Sequence, residues 1–402
     1  MIPFSPASPR RGSYELEKQA AVSSGPDYVL LLLTVLLVIF GLTMVWSASL
    51  PEIRISVPPQ SPAPASAFRF LLQPGTLSWV ERQLLWAGLG SVVLVAAMHF
   101  PLRLLRKLTP LALASAYVFL VLVLVPHVGT EVNGSRSWLR FGGLSFQPSE
   151  FAKLALLLYL AAFVANRGER IARFREGFLP PLFVGGSLAF LVLLENDLGT
   201  AAILLGTTLV VLYLSGADLR HLLLVGVVAA AGIALAIFLV PYRMNRLFAF
   251  LDPWSDPQGR GYHLIQSLYA IAHGRLGGVG LGYGTQKAYY LPYAHNDFIF
   301  AVVIEELGAI GGALLLFLLA SLVLRIAFLA ARTDDPFART LAYGIAASLS
   351  IQTMFNLGGV TGLLPITGVT LPFISYGGTS LVVSLGEVGI ALAISRLRRV
   401  SR

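Results

Sequence analysis

Apolar runs of about 20 residues, the length a helix needs to cross about 30 Å of hydrocarbon, recur along almost the whole chain. They predict ten spans, at 27–49, 80–99, 109–127, 148–165, 178–194, 198–215, 221–240, 298–324, 340–357 and 376–395. Three polar stretches break the rhythm. Residues 1–26 carry Arg10, Arg11 and Lys18 among Ser and Pro, with no apolar run, and read as a flexible tail. The apolar segment that follows is too long for a secretory signal, and no cleavage site is evident. Residues 50–79 form a Pro-rich, largely extended loop. Residues 241–297, between the seventh and eighth spans, are too long to be a mere connector. Trp254, Tyr262, Leu264, Ile265, Leu268, Tyr269, Ile271, Tyr289 and Tyr290 predict partial order there, and 260–272 has the helical apolar spacing of a segment lying flat at an interface. No internal repeat is evident, so the inverted-repeat pattern of many secondary transporters is missing.

Composition turns this pattern into a class. The 402 residues are 56% hydrophobic and only 12% charged, which describes an all-α integral membrane protein, with one ten-helix domain over 27–402. Without cysteine there are no disulfides or thiolate metal sites. A net charge of +9 would suit nucleic acid, but the basic residues sort by topology instead, and no nucleic acid partner is expected. Ten spans put both termini on one side, and the positive-inside rule makes that side cytoplasmic. Of the 29 basic residues, 18 then face inward, on the tail, around 103–107, 167–175, Arg220 and 325–339, and at the end. The other 11 need a different reason: Arg54, Arg69, Arg82, Arg136, Arg140, Lys153, Arg243, Arg246, Arg260, Arg275 and Lys287.

The candidate chemistry gathers on the outer side. Asp297 stands beside Phe298, Ile299 and Phe300, and an ionisable group at such a boundary is a functional candidate by default. In Gln147-Pro-Ser-Glu-Phe-Ala-Lys153, proline fits the first helical turn, and Glu150 and Lys153 fall three residues apart on one face. At its depth in the span Lys153 needs a partner or water; Glu150 is one partner and Asp197 is a candidate for another, and the group either pins helices together, orients a site, or does both. Arg136, Arg140, Arg243 and Arg246 lie at outer helix ends. Each alone reads as a snorkelling anchor, but four near one carboxylate suit a phosphate, whose oxygens match the guanidinium fork. The glycine-rich stretch 274–284 matches no nucleotide-binding pattern and reads as a flexible turn. His295 is close to Asp297 in sequence but does not share its helix face, so it reads as structural or supporting. Glu305 and Glu306 lie about 12 Å deeper and are expected to pair within the bundle. Gly and Pro interrupt 361–381, and such broken backbone at membrane depth is tolerated around a cavity.

The chain resembles the shape, elongation, division and sporulation (SEDS) family, which includes FtsW, RodA and SpoVE. The motifs that carry this are Arg136-Ser-Trp-Leu-Arg140, Phe146-Gln-Pro-Ser-Glu-Phe-Ala-Lys153, Asp197-Leu-Gly-Thr200, Leu251-Asp-Pro-Trp-Ser-Asp256, His295-Asn-Asp-Phe-Ile-Phe-Ala301, Glu305-Glu-Leu-Gly308 and Leu371-Pro-Phe-Ile-Ser-Tyr-Gly-Gly378. Asp252-Pro-Trp and 367–378 look like the FtsW and SpoVE branch, Gly284-Thr-Gln-Lys like RodA, and the FtsW branch is favoured. The resemblance implies a peptidoglycan glycosyltransferase of the bacterial cytoplasmic membrane. It would polymerise lipid II on the outer face, beside a class B penicillin-binding protein and other division or elongation membrane proteins. It implies Asp297 as the catalytic residue, with Arg136, Trp138, Glu150, Lys153, Asp197, Arg243, Arg246 and Ser375 lining the cavity. A divalent cation (Mg or Mn) is left open. A lipid II flippase is the alternative. Departures from the family pattern are Tyr293 in place of Glu, Asn296 in place of Thr, and Glu195-Asn196 in place of Gln-Pro; Tyr293, His295 and Asn296 are the expected supporting neighbours of Asp297.

Overall fold

The computed structural model describes residues 25–56, 79–132, 134–141, 144–292 and 294–397. The tail and most of the Pro-rich loop lie outside the described residues. Helices α1 (Tyr28–Ser56), α2 (Trp79–His99), α3 (Leu102–Leu124), α4 (Pro148–Arg167), α5 (Leu179–Leu194), α6 (Leu198–Leu214) and α7 (Leu219–Phe238) precede the long loop. Within that loop lie α8 (Pro241–Leu251), α9 (Tyr262–Gly274) and the single turn α10 (Gln286–Tyr289). Helices α11 (Ile299–Ala331), α12 (Pro336–Thr361) and α13 (Gly378–Ser395) complete the chain. Among the described residues, seven helical segments are long and apolar enough to cross a membrane, and two shorter apolar helices accompany them, so this is a membrane protein.

Two packed groups of helices make the core. The larger is built from α1, α2, α11, α12 and α13, with Leu30, Leu37, Leu94, Leu315, Leu341 and Leu385 among its buried residues. The smaller joins α3, α4, α5 and α6 through Leu120, Leu156, Leu188 and Leu204. Helix α4 bridges them, since it packs on α3 and on α12. At one end Asp27 caps α1 through Leu30 N (3.1 Å), pairs with Arg325 of α11 (2.8 Å) and donates its backbone N–H to Ser395 Oγ of α13 (3.0 Å). That residue, through its carboxylate and its backbone N–H, ties three helices together.

The all-α expectation needs one correction. Residues 129–146 form an antiparallel sheet of β1 (Gly129–Val132), β2 (Ser135–Phe141) and β3 (Leu144–Phe146), in the order β1-β2-β3. The sheet is short because it serves as a strap. Arg136 N and Ser135 Oγ both donate to Glu195 O in the α5–α6 turn (3.1 and 2.6 Å). At its other end Gln147 N donates to Thr379 Oγ1 at the start of α13 (3.2 Å). In the long loop, α9 occupies the helical stretch read from sequence. Its buried face, with Leu264, Ile265, Ser267 and Ala270, rests on α11 and α12. Ser267 Oγ also donates to Val360 O (2.8 Å).

Candidate functional site

Asp297 sits two residues before α11, half-buried, in a turn gripped by its backbone. Asn356 Nδ2 donates to Asp297 O and to Val369 O, both at 2.8 Å. Ser375 Oγ donates to Asn296 O (2.7 Å) while accepting from Leu371 N (2.8 Å), and Tyr376 N donates to His295 O (2.9 Å). Asn356 is buried, and these two carbonyls satisfy its Nδ2 donors. The broken stretch between α12 and α13 thus wraps the turn that carries the carboxylate.

Gly368 faces that carboxylate with φ +75°, a conformation that suits glycine. A Cβ built there would lie 3.6 Å from Asp297 Oδ2 and 3.9 Å from Arg246 Nη1, so acid and guanidinium share one small volume. Arg246 is itself steadied by a bond from Nη1 to Ile366 O (3.2 Å). A narrow pocket lies here, lined by Asp297, Asn356, Ile366, Thr367 and Gly368 among others. Burial pushes the Asp297 carboxyl up to about 6; Arg246 opposes that shift and Asp197 adds to it. His263 of α9 stacks on Phe298 (6.0 Å between centroids), and burial together with the Arg246 charge pushes its imidazole pKa down.

A second cluster lies on α4. Lys153 Nζ pairs with Glu150 Oε2 (2.8 Å) and donates to Gln352 Oε1 of α12 (2.5 Å). Gln352 Nε2 passes the chain on to Thr370 O (3.0 Å), whose hydroxyl bonds Ser380 Oγ (3.1 Å). Lys153 and Glu150 are 4% and 6% exposed at their side chains, so this ion pair is sealed. Asp197 stands between the clusters. It caps α6 through Thr200 N (2.9 Å) and Thr200 Oγ1 (2.8 Å), while its charge is felt by Asp297, Glu150 and Lys153. Burial raises its pKa against those two bonds from Thr200.

The structure therefore brings Asp297, Arg246, Asp197, Glu150 and Lys153 into one electrostatic neighbourhood. The partner of Lys153 is Glu150 with Gln352, rather than an ion pair with Asp197. Arg136 is half-buried on β2, 3.9 Å from Glu131, and Trp138 is half-buried opposite Thr130. The Ser375 hydroxyl is buried and bonded to backbone on both sides, as a clasp of the Asp297 turn. His295 is buried between Trp79 and Tyr376, with ring centroids 4.7 and 5.7 Å away. Tyr293 and the side chain of Arg243 lie outside the described residues. Asn356, Gln352 and Gly368 were not singled out from sequence. The first two left a signal, an amide pair at helical i, i+4 spacing inside an apolar run; Gly368 left none.

The family model for the cell cycle proteins FtsW, RodA and SpoVE matches residues 27–400. The chain is 40% identical over 376 residues to stage V sporulation protein E of Bacillus subtilis (strain 168), covering 94% of this chain and 98% of that one. It is 38% identical over 375 residues to the probable peptidoglycan glycosyltransferase FtsW of Geobacter sp. (strain M18), covering 93% and 98%. Among solved structures it is similar to a chain from work on the structural coordination of polymerization and crosslinking by a peptidoglycan synthase complex, with a TM-score of 0.73, 32% identity and coverage of 94% and 99%. A match that runs from the first helix to beyond the last, over the turn that holds Asp297 and the strap that holds Arg136, means that this chain belongs to the FtsW, RodA and SpoVE family of cell cycle proteins.

Proposed function

We propose that this protein is a peptidoglycan glycosyltransferase that polymerises lipid II on the outer face of the bacterial cytoplasmic membrane, with Asp297 as general base. The observation that carries this reading is the Asp297 carboxyl, raised to about 6 and set across Gly368 from Arg246. Elongating a glycan from a lipid-linked diphosphate sugar requires an acceptor hydroxyl to attack the anomeric carbon. The new C–O bond forms as the bond to the diphosphate breaks, the hydroxyl proton passes to Asp297, and the anomeric centre inverts. One carboxylate suffices, because the leaving group is already anionic and needs cations rather than a proton. Arg246 supplies one such cation at the site, and Arg136 and Arg243 are proposed as further phosphate contacts. Glu150, Lys153 and Asp197 form the wall beneath, and Trp138 flanks the sugar path. A pKa near 6 leaves the base mostly ionised at neutral pH yet more basic than an ordinary aspartate.

Ten spans, both termini cytoplasmic, complete the topology: the seven long apolar segments, the two shorter apolar helices and α12. A class B penicillin-binding protein is the proposed partner, in keeping with a structural neighbour that comes from a polymerising and crosslinking complex. Among the described residues no three His, Asp or Glu side chains converge as a metal site, and no step is routed through a Mg or Mn ion, which would need only one or two carboxylates beside the substrate's phosphates. The names of the relatives favour glycosyl transfer over the flippase alternative. The test is to purify the chain with its partner, supply labelled lipid II, and compare wild type with Asp297→Asn, each with and without a chelator. Polymer from wild type and none from the variant is expected; equal polymer from both would sink the assignment.

A further inference from the structure

Helix α11 is not continuous. At Gly308 the backbone turns to φ +71° and ψ −176°, so residues 299–307 form a half-helix whose outer end carries Asp297. A break in mid-bundle should leave carbonyls and amides orphaned. Here the glycine-rich stretch is spliced into the gap. Val279 N and Gly280 N donate to Glu305 O and Glu306 O (3.0 Å each) on one side of the break. Ala309 N and Ile310 N, on the other side, donate to Arg275 O and Leu276 O (2.8 and 3.3 Å). The approach is so close that a Cβ on Gly278 would lie 2.1 Å from Glu306 O. The stretch that sequence reads as a flexible turn is therefore a fixed insert.

The side chains of the same two glutamates reach back to the segment that leads to Asp297. Glu305 Oε1 accepts from Thr285 N and Gln286 N (2.9 Å each) and from Thr285 Oγ1 (3.2 Å). Glu306 pairs with Lys287, whose Nζ also donates to Ser47 O (2.6 Å) and Ser47 Oγ (2.8 Å) of α1. Ser47 Oγ in turn donates to Glu306 Oε2 (2.6 Å). The side chains of this pair are 1% and 0% exposed. Residues 285–306 thus leave from these pins, rise to Asp297, and descend the half-helix to the same pins.

We propose that Lys287, Glu305 and Glu306 are positioning residues that close 285–306 into one unit and so hold Asp297 at its working place opposite Arg246. The inference rests on the reading of Asp297 as the base. Glu306 lies nine residues down the chain from Asp297, about 13 Å at helical rise, so the pair acts through geometry and not by contact. A buried ion pair is weak evidence of added stability, because apolar replacements often serve as well. Its place at the closure of the Asp297 loop gives it another purpose. A misplacement of the base by about 1 Å is enough to cost about 10²-fold in turnover.

The experiment uses the full chain with its partner in the lipid II polymerisation assay, with Lys287→Met, Glu306→Gln, the double variant K287M/E306Q and Asp297→Asn as control. Each single variant takes the opposite charge away from a buried ionic group and is expected to lower Tm. The double variant removes both charges and recovers much of that Tm, while its kcat stays down about 10²-fold with KM within about threefold of wild type. Recovery of kcat together with Tm in the double variant, beside an inactive Asp297→Asn, overturns the positioning role alone. Polymerisation by Asp297→Asn overturns the base reading and this inference with it.

Discussion

Lys153 and Asp297 are both ionisable groups set among apolar helices, and they are held in opposite ways. The Lys153 ammonium is gripped directly, by Glu150 and Gln352, in a buried ion pair whose hydrogen bonds run on to Thr370 and Ser380. Asp297 is gripped through its backbone, by Asn356 on its carbonyl, and its half-buried carboxylate looks onto a glycine and a narrow pocket. The first arrangement spends a charge on joining α4 to α12. The second leaves a charge facing the pocket, as the proposed general base requires. Removing the two groups should therefore break different things.

The largest effect is expected on activity at Asp297. Asp297→Asn keeps the size of the side chain and every backbone bond of the turn, so the protein should fold as before while polymerisation falls by about 10²–10⁴-fold, the usual worth of a general base. Lys153→Met should do the reverse in kind. It strands Glu150 in a sealed site, and losing one partner of a buried pair costs about 3–5 kcal/mol. Denaturation of the purified protein should show that loss, and Lys153→Met with Glu150→Gln should restore much of it. If Lys153→Met left stability untouched and removed only activity, the two regions would not differ as described.

Sequence and structure agree on these regions to different depths. The spacing of Pro148, Glu150 and Lys153 was enough to place an ion pair on one face of α4, because helical geometry is local. The boundary position of Asp297 was legible for the same reason. What the sequence could not show was which distant backbone would close around each group. Gln352 lies 199 residues from Lys153, and Gly368 meets Asp297 only because the chain between α12 and α13 folds back. The β-strap escaped notice because its strands are three to seven residues long and pair across turns rather than repeat. The glycine-rich stretch was misread as a flexible turn because its partners, the carbonyls of Glu305 and Glu306, become available only when α11 breaks.

A smaller effect sharpens the comparison through pH. As the proposed base, Asp297 must be ionised, so with a pKa of about 6 the rate should fall about tenfold per unit once pH drops well below that value. Stability should move the other way. A carboxyl with a folded pKa above its unfolded value favours the fold at low pH and loses that contribution as pH rises through about 6. Asp297→Asn should therefore melt higher than wild type at neutral pH, and the two should converge below about pH 4. A pH–rate profile and melting curves over the same range check both signs; an Asp297→Asn protein that melts lower at neutral pH would contradict the assignment.

The smallest effect on activity concerns Glu195, in the turn that joins α5 to α6. Its side chain is fully buried, and neither carboxylate oxygen has a hydrogen-bond partner among the described residues. Its backbone oxygen, however, anchors the β-strap through Arg136 N and Ser135 Oγ. Burial, with repulsion from Asp197, pushes the carboxyl up to about 9, so the group is neutral at neutral pH. It is therefore assigned to the anchorage of the strap, in contrast to the proposed base Asp297. Glutamine has the same shape and no proton to lose, so Glu195→Gln should polymerise as wild type does. The two should melt together near pH 4 and separate as pH rises toward 9, with the variant higher, because only the glutamate must hold its proton to stay folded. A variant that lost activity at every pH while melting normally would show that the Glu195 carboxyl reaches substrate, and would move it from the strap's anchor to the side of Asp297.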